Sequence, residues 1–354
     1  MPRPRRPASH ARALTDWFAR NRRDLPWRGA RDPYRVWVSE IMLQQTTVRV
    51  VVPYYRRFLR RFPTLARLAA APIDDVLAAW SGLGYYRRAR HLHAAARLVV
   101  ERHGGRLPDD PAALRALPGV GRYTAGAIAS IAFGRPEPIL DGNVARVLAR
   151  HLGERRDPRL APVSARLWGE AAALVAAADR PGDLNEALME LGALVCLPAA
   201  PDCPRCPLTR TCAARAQGDP ASIPPPRRQA APRVVERTVA LIESNGRQLV
   251  RRRATTGLMD GLFELPAVEP DGRGGHRLEG GARVTLLAPA GSVRHSITWR
   301  RLTVTVARAR LRARPRPGDH RWVTPAEALR LPASSLLAKT LRAAGALPSP
   351  RREV

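Results

Sequence analysis

The sequence predicts an all-α module followed by a smaller α+β module, and three observations lead to this prediction. The chain has 354 residues, which suits two domains better than one small core. Apolar residues recur at helical spacing up to about residue 215, and short runs of β-branched residues appear after a stretch without periodicity. We therefore expect a helical domain over residues 1–215, a linker over 216–232 and a second domain over 233–345.

The first part of the chain carries the spacing of amphipathic helices. Leu14, Trp17 and Phe18 are three to four positions apart, so that one helix face collects them. Proline and aspartate mark helix starts, for example over residues 72–75, directly before Val76. These patterns favour helices throughout the first module.

The last third of the chain has the composition of strands. Val234–Ile242, Gln248–Arg252 and Leu302–Val306 are short β-branched runs bounded by glycine, asparagine or arginine. A final helix is expected after residues 324–327, Thr-Pro-Ala-Glu. The second module is therefore predicted to combine a sheet with a helix.

The charge indicates a polyanionic partner. The chain has 60 Lys and Arg against 30 Asp and Glu, a net charge of +30. Basic side chains that neutralise phosphates release condensed counterions, which favours nucleic acid over a merely basic surface. A GC-rich genome explains why Lys339 is the only lysine, but not the twofold excess of bases. Nothing at the start of the chain resembles a signal peptide and no stretch suits a bilayer, so we expect a cytoplasmic protein without membrane contact.

A helix–hairpin–helix segment offers a site for a phosphate. The turn Leu117-Pro118-Gly119-Val120-Gly121 lies between the helical stretches Pro111–Ala116 and Arg122–Phe133. Glycines permit a tight turn with positive φ, and the second helix begins with backbone N–H groups that suit a phosphate. An ordinary corner between helices remains the alternative. The surrounding positive charge favours a DNA-binding hairpin that contacts the backbone through Leu117, Gly119, Val120 and Gly121.

All four cysteines lie within residues 196–212. Cys196, Cys203, Cys206 and Cys212 have the spacing Cys-x6-Cys-x2-Cys-x5-Cys. Four thiolates in one short loop suit zinc or a [4Fe–4S] cluster, and the chemistry alone does not decide between them. We expect a metal site that orders the loop, places Arg205 and Arg210 near DNA and takes no part in bond cleavage.

These two features, in this order, resemble the endonuclease III and MutY superfamily of DNA glycosylases. In that superfamily the cysteine spacing holds a [4Fe–4S] cluster, so the resemblance implies this cofactor rather than zinc. Further stretches are similar to the MutY type, which removes adenine mispaired with 8-oxoguanine. They are Leu25–Arg28, Val36–Thr46, Trp80–Tyr86 and Ile139–Val144.

One position separates the MutY type from relatives that also cleave the DNA strand. Those relatives carry a lysine directly after Gly-Arg in the hairpin helix, where this chain has Tyr123. A Schiff base needs an amine, and Lys339 is far away along the chain. We therefore expect a monofunctional hydrolase without lyase chemistry.

Two carboxyl groups are the candidates for catalysis. Glu40 shares a predicted helix face with Val36, Trp37 and Leu43, so loss of solvent should favour its neutral, proton-donating form. Asp141 precedes a predicted helix start, where backbone donors should favour the carboxylate. The resemblance implies that Glu40 protonates adenine N7 and that Asp141 stabilises the oxocarbenium ion. It also implies that Tyr123 and Asn143 assist.

The resemblance further implies the residues that contact the bases. An adenine taken out of the helix would be held by Trp27, Arg28, Leu43 and Glu186. Gln45, Thr46, Leu83 and Tyr85 would enter the duplex beside the 8-oxoguanine.

The C-terminal module resembles the Nudix-like domain of MutY proteins, starting at Arg251–Arg253 and Gly257–Pro266. It lacks a glutamate-rich segment for magnesium, so we expect recognition of 8-oxoguanine rather than pyrophosphatase activity. The family usually presents a Phe-Ser-His loop, and here Thr298 stands at the serine position and Trp299 at the histidine position. The departure puts the preference for 8-oxoguanine in question. Arg294, Trp299 and Arg300 are then expected to contribute more to the search for the lesion.

The predicted function is hydrolysis of adenine from A:8-oxoguanine or A:G mispairs in double-stranded DNA by a monomer. Two alternatives stay open: another mismatch glycosylase of the superfamily, and a non-catalytic iron–sulfur protein that binds DNA.

Overall fold

The computed structural model describes residues 6–29, 31–226, 231–254, 259–297, 299–313, 315 and 318–348. Contacts between Cα atoms divide them into two compact units. The first unit comprises described residues up to 70 and from 91 to 226, and the second comprises residues 71–90 and those from 231 onwards. Residues 71–90 thus group with the C-terminal unit. The boundaries expected from the sequence at 215 and 233 stay a prediction.

The first unit is helical, as predicted. Burial of an apolar face explains most of its helices, since Leu14, Trp17 and Phe18 of the first helix all enter one core. The helices of this unit, with the one that leads into it from residue 87, are α1 (Pro7–Asn21), α2 (Pro33–Leu43), α3 (Val48–Arg61), α4 (Leu65–Ala70), α6 (Arg87–His103), α7 (Pro111–Arg115), α8 (Arg122–Phe133), α9 (Gly142–Leu152), α10 (Ala161–Ala176), α11 (Pro181–Leu194) and α12 (Ala213–Ala216).

Local signals set the ends of the helices that matter for the site. Asp32 caps α2 by accepting a hydrogen bond from the Arg35 backbone N–H, and Asp141 caps α9 through Val144. Helices α8 and α9 both end at a glycine with left-handed backbone, Gly134 and Gly153. These caps fix where α2, α8 and α9 begin or end around a common cleft.

The second unit contains two sheets and three short helices. Its elements are α5 (Ile73–Ala79), β1 (Arg233–Leu241), β2 (Glu243–Ser244), β3 (Arg247–Arg252), β4 (Phe263–Glu264), β5 (Val268–Pro270), β6 (His276–Leu278), β7 (Arg283–Ile297), β8 (Arg300–Leu311), β9 (His320–Val323), α13 (Pro325–Ala328) and α14 (Ser335–Ala343). The three predicted strands correspond to β1, β3 and β8. Thr324 caps the short helix α13 and forms a capping box with Glu327, and the final described helix, α14, follows from Ser335.

The strand order gives this unit its core. One sheet has the order β1-β8-β7-β6-β5, in which β1 and β8 are parallel and the other pairs antiparallel. The other has the order β2-β3-β4, with β9 also paired to β3. Leu336, Leu337 and Leu341 of α14 enter the same core as Val304 and Val306 of β8. The α+β prediction is confirmed. Within the described residues no helix is long and apolar enough to cross a membrane.

Candidate active site

A cleft of about 780 Å³ opens in the first unit between α2, α8, α9 and α11. Its volume is typical of pockets that bury a small ligand. The cleft brings together the residues predicted to act on adenine and two predicted to enter the duplex, Gln45 and Thr46, although they come from five separate parts of the chain. They are Trp27, Arg28, Glu40, Leu43, Gln45, Thr46, Tyr123, Asp141, Asn143 and Glu186.

Glu40 is a buried carboxyl group at the wall of this cleft. Helix α2 is buried on nearly every side, so Glu40 is only 5% exposed. The Tyr123 hydroxyl donates a hydrogen bond to Glu40 Oε2 at 2.8 Å. Burial raises the pKa of Glu40 from 4.5 to about 7, and the charges of Asp141 and Glu186 add to the rise, against the Tyr123 hydrogen bond and Arg28. Glu40 therefore carries a proton in a substantial fraction of molecules at neutral pH.

Asp141 lies at the N-terminus of α9 and receives the expected donors. Val144 donates its backbone N–H to Oδ1 at 2.7 Å, and the Asn143 amide lies 3.4 Å from Oδ2. Burial raises the pKa of Asp141 above its ordinary value, although these donors lower it and so favour the carboxylate, as expected. The two carboxyls differ in their partners, since Asp141 receives backbone N–H groups and Glu40 receives a phenol hydroxyl.

A network of ion pairs closes one side of the cleft. Arg28 Nε lies 3.3 Å from Glu186 Oε1, and Arg28 Nη2 lies 2.9 Å from Glu190 Oε2. Arg23 binds Glu190 through its backbone N–H, Nε and Nη2 at 2.7–2.9 Å. Burial raises the pKa of Glu186, whereas the hydrogen bonds from Arg23 and the charge of Arg28 hold that of Glu190 below its ordinary value despite burial. Arg28 is thereby fixed with its guanidinium against two carboxylates.

Sequence reasoning missed several residues that line this cleft, and three of them make polar contacts there. They are Arg23, Glu190 and Met189, whose sulfur lies 3.1 Å from the Tyr123 hydroxyl. Glu190 follows the predicted Glu186 by one helical turn of α11, so the i, i+4 spacing could have identified it.

Gln45 and Thr46 form the rim of the cleft after α2. Gln45 is exposed and has a φ of 57°, in the left-handed region that non-glycine residues rarely adopt. Such a conformation persists only where its surroundings impose it. The rim is thus a fixed feature beside the cleft.

The predicted hairpin is present between α7 and α8. Gly119 has a φ of 77°, and a Cβ there would lie 2.6 Å from the Cβ of His91, so the turn requires glycine twice over. Leu117 and Val120 are buried and anchor the turn. Gly121 precedes α8 without a side-chain cap, which suits a phosphate at this helix N-terminus.

The four cysteines line a single cavity. Cys196, Cys203, Cys206 and Cys212 are free thiols. Arg150, which is 2% exposed, donates to Cys196 Sγ at 3.3 Å, and the Cys212 thiol lies 3.4 Å from the Arg150 carbonyl. Burial, with the three neighbouring sulfurs, raises the pKa of the Cys206 thiol to about 12. Burial also raises the pKa of the Cys212 thiol, and a positively charged cluster would offset the charge of the thiolates in this cavity. Among the described residues, no three His, Cys, Asp or Glu side chains converge as for a single metal ion.

The residues predicted to enter the duplex beside the 8-oxoguanine differ in their exposure to solvent. Tyr85 is 43% exposed, whereas Leu83 is buried. In the second unit, Tyr85, His295 and Ser296 help to line a cavity of about 330 Å³. Trp299, at the turn between β7 and β8, is 52% exposed, and the Arg300 guanidinium lies 4.9 Å from its ring centroid. Thr298 lies outside the described residues. The roles of these residues stay predictions.

Comparison with known protein families gives two matches. Residues 38–171 match the family described as HhH-GPD superfamily base excision DNA repair protein, and residues 238–343 match a NUDIX domain.

Several curated relatives carry the name adenine DNA glycosylase. The human protein is 51% identical over 212 residues, 57% of this chain and 39% of its own length. The Mycobacterium tuberculosis protein is 44% identical over 216 residues, 61% of this chain and 70% of its own length. The chain spans about two fifths of the mammalian relatives it matches.

Solved structures agree on the fold of the helical unit. A thermostable thymine-DNA glycosylase is 30% identical with a TM-score of 0.54, covering 60% of this chain and 97% of that one. Endonuclease III in a non-covalent DNA complex is 22% identical with a TM-score of 0.50, covering 61% and 99%. This second likeness concerns the fold alone.

Proposed function

The chain belongs to the MutY-type adenine DNA glycosylases, and from this premise we propose that it hydrolyses the N-glycosidic bond of adenine mispaired with 8-oxoguanine or guanine. The observation that carries the proposal is the paired arrangement of Glu40 and Asp141 in one cleft, where burial holds the pKa of Glu40 near 7. The substrate is the mispair in double-stranded DNA, and the adenine leaves the base stack to enter the cleft.

The reaction follows the logic of two carboxyl groups in different protonation states. Glu40 in its acid form donates its proton to adenine N7, and the C1′–N9 bond breaks with its electron pair moving to the base. The charge of Asp141 stabilises the cationic sugar. Water supplies hydroxyl to C1′, and its remaining proton restores the acid form of Glu40. The products are free adenine and an abasic site.

The surrounding residues position the acid and the base. The Tyr123 hydroxyl holds Glu40 Oε2 in one orientation, and Asn143 approaches Asp141. Trp27, Leu43 and the Arg28–Glu186 pair form walls that would hold a purine, combining apolar surface with a few oriented polar groups.

The absence of strand cleavage rests on the nature of Tyr123. A Schiff base requires an amine, and the position in the cleft carries a phenol hydroxyl already bonded to Glu40. Lys339, the only lysine of the sequence, lies on α14 of the second unit. The protein therefore releases the base and leaves the strand intact.

End-labelled duplexes test this function directly. The strand would carry adenine opposite 8-oxoguanine, guanine or cytosine, and products would be separated with and without alkali. We expect alkali-dependent cleavage at the adenine, strongest opposite 8-oxoguanine. Cleavage without alkali would contradict the argument from Tyr123. If no adenine were released from any duplex, the enzymatic proposal would fail and a protein that only binds DNA would be favoured.

A second candidate function follows from the 30% identity to the thermostable thymine-DNA glycosylase. That likeness favours action on a mismatched pyrimidine, and a duplex with thymine opposite guanine belongs in the same assay. Release of thymine in preference to adenine would replace the first candidate by this one.

The rate of base release should have a bell-shaped pH profile. Above pH 7 the acid form of Glu40 falls about tenfold per pH unit, because its pKa lies near 7. On the acid side the rate falls as Asp141, whose pKa burial raises, loses its charge. Single-turnover rates on the 8-oxoguanine duplex measure this profile. A rate that kept rising from pH 7 to pH 9 would exclude Glu40 as the acid.

We also propose that Cys196, Cys203, Cys206 and Cys212 hold a [4Fe–4S] cluster that orders the loop. When bound, the cluster would supply the positive charge that four half-buried thiolates require. Arg150, with hydrogen bonds to the Leu197, Pro198 and Ile223 carbonyls, keeps the loop against α9.

Purified protein should be yellow-brown and contain iron and sulfide. Replacing Cys206 by serine should remove the colour and increase proteolysis within residues 196–212, because the loop would lose its central constraint. Iron analysis and limited proteolysis measure both effects. A colourless wild-type protein with one zinc per chain would contradict the cluster.

A further inference from the structure

The turn that carries Tyr85 has an unusual backbone. Gly82, Gly84 and Tyr85 have φ values of 95°, 77° and 50°, all in the left-handed region. Glycine adopts this region freely, but Tyr85 does not, and such a residue keeps its conformation only when neighbouring contacts impose it. Tyr85 is also the most exposed aromatic residue of this turn, at 43%. Contacts with neighbouring residues must therefore hold the backbone of the turn in this conformation.

The hydroxyl of Tyr86 forms hydrogen bonds that hold the turn. It accepts a hydrogen bond from the Gly82 backbone N–H at 3.0 Å and donates one to the Ala333 carbonyl at 2.9 Å. The Ser81 hydroxyl donates to the same carbonyl. Ala333 is buried and forms a β-bridge with Phe263 of β4. One phenol oxygen thus connects the start of the turn to the core of the C-terminal unit.

Other contacts attach the same segment to this unit. Arg90 Nη2 donates to the Asp260 carbonyl at 2.7 Å, and Arg252 pairs with Asp74. Within the turn, Trp80 Nε1 and Arg88 Nη2 both donate to the Gly84 carbonyl at 3.1 Å. These contacts explain why residues 71–90 group with the C-terminal unit.

We propose that Tyr86 is a positioning residue through which the C-terminal unit sets the conformation of the 82–85 turn, and thereby the preference of the protein for 8-oxoguanine over guanine opposite the adenine. The inference rests on the proposed function. Tyr86 acts through Tyr85, which lines the same cavity as His295 and Ser296 of β7. A change in the turn would displace Tyr85 relative to those two side chains.

The Tyr86→Phe variant tests this role, since it keeps the ring and removes only the bridging oxygen. Its matched control is Tyr34→Phe. Tyr34 is also 7% exposed and donates its hydroxyl to a backbone carbonyl, that of Phe62 at 2.8 Å, in the helical unit. Tyr86→Phe loses two hydrogen bonds and Tyr34→Phe loses one, so both variants should lose thermal stability, Tyr86→Phe the more. Ser81→Ala removes the other donor to Ala333 and should act in the same direction as Tyr86→Phe.

Two ratios are measured for each variant on duplexes with adenine opposite 8-oxoguanine or guanine. One is the ratio of single-turnover rates, and the other is the ratio of equilibrium dissociation constants, which needs no base release. We expect Tyr86→Phe to lower both preferences by about three- to tenfold, since the turn loses its bonds to Tyr86, and Tyr34→Phe to leave them unaltered.

An unchanged preference for 8-oxoguanine in Tyr86→Phe would overturn the inference. An equal decrease of this preference in Tyr34→Phe would also overturn it, because it would indicate an effect of lowered stability. If the wild-type protein released no base, the proposed function would fail. The binding ratio would still decide the role of Tyr86.

Discussion

Replacing Glu40 by glutamine is expected to lower the single-turnover rate of adenine release by about 10²- to 10⁴-fold, the usual contribution of a general acid. Glutamine has nearly the same shape and can still accept the hydrogen bond of the Tyr123 hydroxyl, so the cleft keeps its geometry. It cannot supply a proton to adenine. The measurement is single-turnover release from the 8-oxoguanine duplex near neutral pH.

The same substitution should make the protein more stable above pH 7. Burial raises the pKa of Glu40 from 4.5 to about 7, so the native state binds this proton more tightly than the unfolded state does. At pH values above the native-state pKa of Glu40, this shift lowers the free energy of unfolding by roughly 3 kcal/mol. Glutamine removes that cost, and the gain should shrink as the pH falls towards 4.5. Thermal unfolding at several pH values measures it.

Glu154 provides the matched control. It is also 5% exposed in the helical unit, but Arg156 and Arg166 hold it, and the pKa of Glu154 is lowered to about 2 by the Arg156 hydrogen bonds. Glu154→Gln should therefore reduce stability and leave adenine release intact. Full activity in Glu40→Gln would sink the enzymatic proposal and favour an iron–sulfur protein that only binds DNA.

Much of the helical unit could be predicted because its signals are local. The spacing of Leu14, Trp17 and Phe18 and the caps at Asp32 and Asp141 depend on a few neighbouring residues. The hairpin was predictable from Gly119, which the structure shows to be required by both φ and the nearby His91.

The long strand β7 could not be predicted. Its 15 residues include Pro289 and Gly291, and its pairing with β8 shifts register at Leu286/Ala288 and Pro289/Gly291. Bulges of this kind break the alternation from which strands are recognised. Antiparallel pairing with β8, the strand that follows it in the sequence, stabilises the strand despite these shifts.

The candidate site also combines features that local sequence predicts with features that depend on the folded unit. The acidic residues were identified from local patterns and resemblance, but the protonation of Asp141 depends on burial by the whole unit, which a single helix end does not reveal. The attachment of residues 71–90 to the C-terminal unit depends on contacts with residues far along the chain, such as the Ala333 carbonyl, about 250 positions from Tyr86. Such a contact has no signature in the sequence around Tyr86.

Replacing Asp141 by asparagine is expected to lower the rate of adenine release by about 10²- to 10³-fold, as for other losses of a charge that stabilises a transition state. Asparagine is as good an N-cap as aspartate, so α9 should still begin at Gly142. Asp32→Asn is the control, because Asp32 caps α2 through Arg35 in the same way and has no place in the cleft. It should keep full activity.

The pH profile of Asp141→Asn separates two ways in which the residue acts. The negative charge of Asp141 helps to raise the pKa of Glu40, so its removal should lower that pKa and leave less acid form at neutral pH. The alkaline limb of the profile should move to lower pH, and part of the lost rate should return as the pH is lowered. A profile that keeps its wild-type alkaline limb would show that the two carboxyls act independently. A rate that stayed at the wild-type level would remove Asp141 from the mechanism altogether.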